Sequence, residues 1–143
     1  MIIEQNIQIN TSPEVIFKQY QDVSHWSTWD KDVLDSSLEG DFYIGTSGTL
    51  EPTHGPKSRF ILTEVSEDQS FTTETKLPLC RLIFEHQLTP NEKGTWVTHT
   101  VRFEGLLSPI FGKLIGNAIK KGLPNALIGL KAYVRQGSIH EYI

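Results

Sequence analysis

The chain has 143 residues, 38% of them apolar, 10% aromatic and 21% charged, with a formal net charge of −4. That length fits one domain over residues 1–143, and that balance excludes a disordered chain. The acidic sum argues against nucleic acid as a partner, and the single cysteine, Cys80, excludes an internal disulfide framework.

The first residues, Met1-Ile2-Ile3-Glu4-Gln5, carry neither the basic nor the apolar part of a signal peptide. Ile3, Ile7 and Ile9 alternate with Glu4, Asn6 and Gln8, which predicts a first strand with one buried face. Thr11-Ser12-Pro13-Glu14 then reads as a helix start. Ser12 is placed to cap free N–H groups, Pro13 suits the first helical position, and Glu14 suits the positive end of the helix. A helix is expected from Pro13 to Tyr20. A second short helical stretch is expected around Trp26, Trp29 and Asp30. These tryptophans either line a cavity mouth or anchor the short helices to a sheet.

From Val33 to Glu104 the pattern is one of repeated strands, expected at 33–39, 46–51, 57–65, 69–76, 79–89 and 95–104. The breaks between them are short, which favours antiparallel neighbours. After Gly105 the period changes. Ser108-Pro109 repeats the helix start, and Phe111, Leu114, Ile115, Ala118, Ile119, Leu123, Leu127, Leu130 and Val134 recur at helical spacing. A helix to about Gln136 would span roughly 40 Å. Pro124 inside it is expected to kink it. Gly112, Gly116, Gly122 and Gly129 lower its own helicity, so it needs an apolar surface to lie on. The fold class is therefore α+β: a seven-stranded curved antiparallel sheet wrapped around a long C-terminal helix, with two short helices after strand 1. Such a wrap encloses space, and an internal cavity is a natural outcome.

Charge is unevenly spread. Residues 1–105 carry 8 basic and 16 acidic side chains, whereas residues 106–143 carry 5 basic and 1 acidic. The basic segment either packs on the acidic body or offers a face to an anionic ligand or membrane. The run Leu106-Leu107-Ser108-Pro109-Ile110-Phe111 touches membrane, gates a cavity, or forms a first buried turn. No apolar run approaches the roughly 20 residues needed to cross a bilayer, so no stable membrane insertion is expected and the cytoplasm is the expected location.

The hairpin 79–104 can be read by register. Cys80, Leu82, Phe84, His86 and Leu88 share one face of its first strand; Val97, His99, Val101 and Phe103 share one face of its second. Pairing Arg81 with Glu104, and Ile83 with Arg102, avoids setting Arg81 against Arg102. That register leaves Asn91 to Gly94 as the loop and sets His86 opposite His99, both inward. Two imidazoles in an apolar enclosure cannot both be charged cheaply. They are either a buried satisfied pair or a polar anchor and acid/base pair for a ligand.

Other chemistry is missing. His25, His54, His86, His99 and His140 show no metal-ligand spacing and Cys80 has no CxxC partner, so no metal is expected. A His86/His99 metal site would need a third ligand, and that face offers no carboxylate. No nucleophile elbow, phosphate loop or dinucleotide fingerprint is present, and no cofactor is expected. Trp96 on the outer face is either a contact between copies or a cross-strand packing residue.

Several segments together resemble a known family. They are Ser12-Pro13-Glu14-Val15-Ile16-Phe17 after a first strand, Trp26-x-x-Trp29-Asp30, Leu38-Glu39-Gly40, Gly45-Thr46-x-Gly48, Val101-x-Phe103-x-Gly105 and Gly122-Leu123-Pro124-x-Ala126-Leu127-x-x-Leu130. Over nearly the whole chain the sequence resembles the START-like, birch-pollen-allergen-like (SRPBCC) superfamily of helix-grip proteins. Within it, the resemblance is to the polyketide cyclase/dehydrase and lipid-transport group. It implies a helix-grip fold with a ligand cavity between sheet and C-terminal helix. It also implies a small hydrophobic partner: a lipid, polyketide, aromatic or isoprenoid molecule. The group shares no catalytic motif. The expected ligand-binding residues are Phe60, Leu62, Phe84, His86, His99, Val101, Phe111, Ile115 and Leu127. A carrier or binding protein is the first reading. A cyclase/dehydrase-type enzyme with His86 and His99 as acid and base is the alternative.

Overall fold

The computed structural model describes the backbone of residues 1–141 and the side chains of residues 1–135. Strand β1 (Ile2–Ile9) leads into helix α1 (Pro13–Gln21) and a 3-10 helix (Val23–Thr28). Strands β2 (Val33–Leu38), β3 (Ser47–Pro52), β4 (Ser58–Ser66), β5 (Ser70–Leu77), β6 (Cys80–Asn91) and β7 (Gly94–Glu104) follow, and α2 (Ser108–Glu141) ends the chain. Strand bounds fall within two residues of those read from the pattern. The helix beyond Gln136 and His140 lies outside the described side chains.

The strands form one seven-stranded antiparallel sheet in the order β1-β7-β6-β5-β4-β3-β2. β1 and β2 are the two edges, so the chain must cross the sheet between them. It does so through α1 and the 3-10 helix, which bury Ile16, Phe17, Tyr20, Val23 and Trp26. The rest is a meander of tight turns. Helix α2 lies mainly over β1 and β7 and runs through Pro124 as one element. This is the helix-grip arrangement that the order of elements implied.

Two local expectations need correction, the Ser12 cap and the β6–β7 loop, and two side chains find their places. Ser12 occupies the N-cap position of α1, but its side chain makes no capping bond. The pKa of the exposed Glu14 carboxylate is lowered by its own backbone N–H and then by the Ser12 side chain. The β6–β7 loop is shorter than Asn91 to Gly94: those two residues pair, and only Glu92 and Lys93 turn. Gly94 is needed there because its φ is +130°, and a Cβ would stand 2.4 Å from the Ile9 carbonyl oxygen. Ile83, on the outward face, is buried. Glu74 and Arg102 flank it on the neighbouring strands, and Arg102 pairs with Glu85 at 2.7 Å. A lattice of long charged side chains covers the isoleucine. Trp26 and Trp29 are both core residues, with Trp26 stacked on Phe60 at 5.6 Å.

Candidate functional site

The concave face of the sheet carries two apolar clusters. The first joins Ile16, Phe17, Tyr20, Trp26, Trp29, Phe60, Leu62, Phe71, Ala126, Leu127 and Leu130 with its neighbours. The short helices and the C-terminal half of α2 both press on it, and these side chains are nearly fully buried. The second has a buried base of Ile3, Cys80, Val101, Phe103 and Leu123. Around that base, Leu77, Leu82, Phe84, Leu107, Phe111, Ile115 and Ile119 are only half-buried. Among the described residues, only the N-terminal half of α2 reaches this end, and α2 lies mainly toward β1 and β7.

The histidine pair sits where the clusters meet. The Arg81–Glu104 register is present, and it sets His86 opposite His99 with ring centroids 4.6 Å apart at 74°. His86 lies flat between Phe71, 3.8 Å away at 5°, and Phe84, 4.2 Å away at 6°. Its Nδ1–H donates to the Phe71 carbonyl at 3.2 Å, which leaves Nε2 as the acceptor in the neutral ring. His99 Nε2 bonds the Tyr20 hydroxyl at 2.8 Å, and His99 Nδ1 is buried with no hydrogen-bond partner among the described residues. Burial lowers the pKa of both rings. His86 falls well below its usual value, with the His99 ring adding to the shift and the Phe71 carbonyl opposing it. His99 falls to about 3. Burial also pushes the Tyr20 phenol far above its usual range, so it keeps its proton. At neutral pH this is an uncharged Tyr20–His99–His86 group whose one spare buried atom is His99 Nδ1.

The nine expected ligand residues therefore divide. Phe60, Leu62 and Leu127 are buried in the filled cluster. Val101 is buried in the second cluster, where Phe84, Phe111 and Ile115 are half-buried around it. His86 and His99 stand at the boundary, linked to both by Phe71 and Phe84. Three groups were not read from the sequence. Tyr20 closes the apolar stripe of α1, and a phenol on a core stripe needs a buried partner; the inward histidines were the signal. Thr73 and Thr75 are the other two. Their registers with Phe84 and Leu82 put them on the concave face, half-buried, beside the open cluster. No three His, Cys, Asp or Glu side chains are grouped for a metal ion among the described residues.

Comparison with known proteins fits this geometry. The sequence family described as polyketide cyclase/dehydrase and lipid transport matches residues 1–135. Among solved structures, protein MLL2253 from Mesorhizobium loti is similar at a TM-score of 0.77 and 16% identity, over 95% of this chain and 98% of that one. Ara h 8.0201 is similar at 0.75 and 12% identity, over 95% and 98%. The di-domain ARO/CYC StfQ from the steffimycin biosynthetic pathway is similar at 0.77 and 13% identity, over 96% of this chain and 51% of that one. At these identities the likeness is one of fold. No curated protein matches the sequence. The family match over nearly the whole chain is of another order, and by it this chain belongs to the polyketide cyclase/dehydrase and lipid-transport family.

Proposed function

We propose that the chain binds a small apolar molecule at the open end of its concave face, as a carrier or binding protein. One observation carries this: Leu82 and Phe84 on the sheet and Phe111, Ile115 and Ile119 on the helix pack on one buried base and stay half-buried. Apolar walls with a few convergent polar groups are what such a ligand needs. The Thr73 and Thr75 hydroxyls beside the walls supply the polar groups. A lipid, polyketide, aromatic or isoprenoid molecule fits that chemistry. The cytoplasm is the proposed location, where the buried Cys80 stays a thiol.

The enzyme reading has one observation in its favour, the unpartnered buried Nδ1 of His99. Its weakness is energetic. A general base works best with a pKa near the operating pH, and His99 lies at about 3. The carrier reading needs no proton transfer and is preferred.

Native mass spectrometry of freshly purified protein, followed by denaturation and identification of what is released, tests the proposal. A stoichiometric apolar adduct is expected, and Ile115→Trp should exclude it by filling the space. An apo mass, together with no thermal shift from fatty acids, isoprenoids or aromatic polyketides, would defeat the reading. If a compound is found, His99→Gln should leave its binding nearly intact in a carrier. Loss of turnover with binding retained would favour the enzyme.

A further inference from the structure

Four large aliphatic side chains stand in solvent around the open end: Leu79 is 66% exposed, Leu106 80%, Ile110 52% and Leu114 71%. The fold groups them. The Leu107 N–H donates to the Leu79 carbonyl at 3.0 Å, tying the loop of Leu106 to the turn of Leu79. Both leucines line a depression of about 400 Å³ together with Leu77 and Cys80 and with Lys76, Arg81 and Glu104. Ile110 and Leu114 lie one turn apart on α2, roughly 100° around the helix from Phe111 and Ile115, which pack on the cluster. Leu79 is held at φ +51°, a conformation that glycine or asparagine adopts more easily. An exposed leucine in that position has no packing reason to be there.

Charge supplies the second observation. Residues 105–140 include Lys113, Lys120, Lys121, Lys131 and Arg135 and not one Asp or Glu. Lys76, Lys113, Lys120 and Lys121 are exposed and make no ion pair among the described residues. Protruding aliphatic side chains with unpaired lysines on the same segments complement a bilayer surface with anionic headgroups; the one carboxylate lining the depression, Glu104, is paired with Arg81 and Arg102. A second copy fits less well, because a two-fold contact would set the same lysines against each other.

We propose that this end of the molecule docks on anionic membrane surfaces. Leu79, Leu106, Ile110 and Leu114 enter the boundary between headgroups and acyl chains, and Lys76, Lys113, Lys120 and Lys121 lie over the phosphates. The contact is peripheral, as no helix among the described residues is long and apolar enough to cross a membrane. Docked this way, the half-open cluster lies beside the contact, so an apolar ligand has a short path between the two. That last step rests on the ligand reading; the docking does not.

Sedimentation of the full chain with vesicles tests it, using phosphatidylcholine alone and phosphatidylcholine with about one-third phosphatidylglycerol. The chain should pellet with the anionic vesicles at low salt, and the bound fraction should fall as salt rises to roughly 0.5 M. Leu106→Asp with Leu114→Asp should weaken binding roughly tenfold or more. Lys113→Glu with Lys121→Glu should remove most of the salt dependence. All four positions are exposed, so circular dichroism should be unchanged. The proposal fails if the chain stays in the supernatant with anionic vesicles at low salt, or if the double Asp variant pellets like the parent. It also fails if sedimentation equilibrium shows a dimer that the double Asp variant dissociates, because a second copy then covers this face. An apo mass with vesicle binding intact would remove the ligand reading and leave the docking standing.

Discussion

The two ends of the concave face are built from similar residues to opposite effect. At one end, Tyr20, Phe71, Trp26 and Phe60 interlock, with Tyr20 and Phe71 rings 4.8 Å apart, and little is left exposed. At the other, Leu77, Leu82, Phe84, Phe111 and Ile115 are present in number but only half-covered. The difference is one of cover, since α1, the 3-10 helix and half of α2 close the first end, while the other half of α2 alone serves the second. The filled end should hold stability and the open end should hold function.

The largest effect expected from that division is on stability. Phe71 is 1% exposed and touches Tyr20, Trp26, Phe42 and His86. Phe71→Ala should cost about 3–5 kcal/mol, the usual range for a fully buried aromatic. Ile115→Ala at the open end should cost only about 1 kcal/mol, because part of that side chain is already in water. Denaturant unfolding measures both. Equal losses would mean that the two ends are equally packed, and the argument for an open site would fall with them.

Next comes pH. His86 and His99 have folded-state pKa values depressed by burial. Between the ordinary histidine pKa and the depressed values, the unfolded chain binds more protons than the folded one. Stability is therefore full above about pH 6.5 and falls as pH drops through that range, by up to about 2.7 kcal/mol per pH unit for two groups. Asp30 acts the other way. Burial raises its pKa to about 6, its own contact with the Asp32 backbone N–H opposing and the Asp32 charge adding. The folded state then holds the extra proton, which offsets up to about 1.4 kcal/mol per unit between pH 6 and 4. Unfolding midpoints across pH 4–7 should still decline toward acid, and His99→Gln should flatten the decline. A slope unchanged in that variant would show that the histidine pair is not the cause.

Much of this was legible beforehand where a local rule applied. The strand pairing followed from one choice, Arg81 against Glu104 rather than Arg102, and the histidine pair came with it. Ile83 lies on the outward face and is still buried, because alternation does not tell what long charged neighbours cover. Which end of the face is filled was beyond the pattern. It depends on where the crossing between β1 and β2 comes to rest, and no periodicity encodes that. Tyr20 meets His99 across 79 positions of sequence, and Thr72-Thr73-Glu74-Thr75 is polar on both faces, so its inward members carried no signal.

The helix glycines give the finest test, since α2 passes from one end to the other. A Cβ at Gly129 would stand 2.0 Å from the Trp29 carbonyl oxygen, a backbone atom of the filled end. Gly129→Ala should cost about 2 kcal/mol even after the gain of about 1 kcal/mol in helix propensity. At Gly116 the nearest atom is the Met1 sulfur at 3.0 Å, the tip of a flexible side chain that is itself 52% exposed. That neighbour can move aside, so Gly116→Ala should keep most of the propensity gain and stabilise the chain by about 0.5–1 kcal/mol. Thermal unfolding of the two variants reads the sign directly. A gain at Gly116 beside a loss at Gly129 means that helix and body are locked at one end and loosely seated at the other, which a ligand entering beside Phe111 and Ile115 requires. Losses of equal size would mean that the helix is clamped along its whole length, and the open cluster would then have no way to admit a guest.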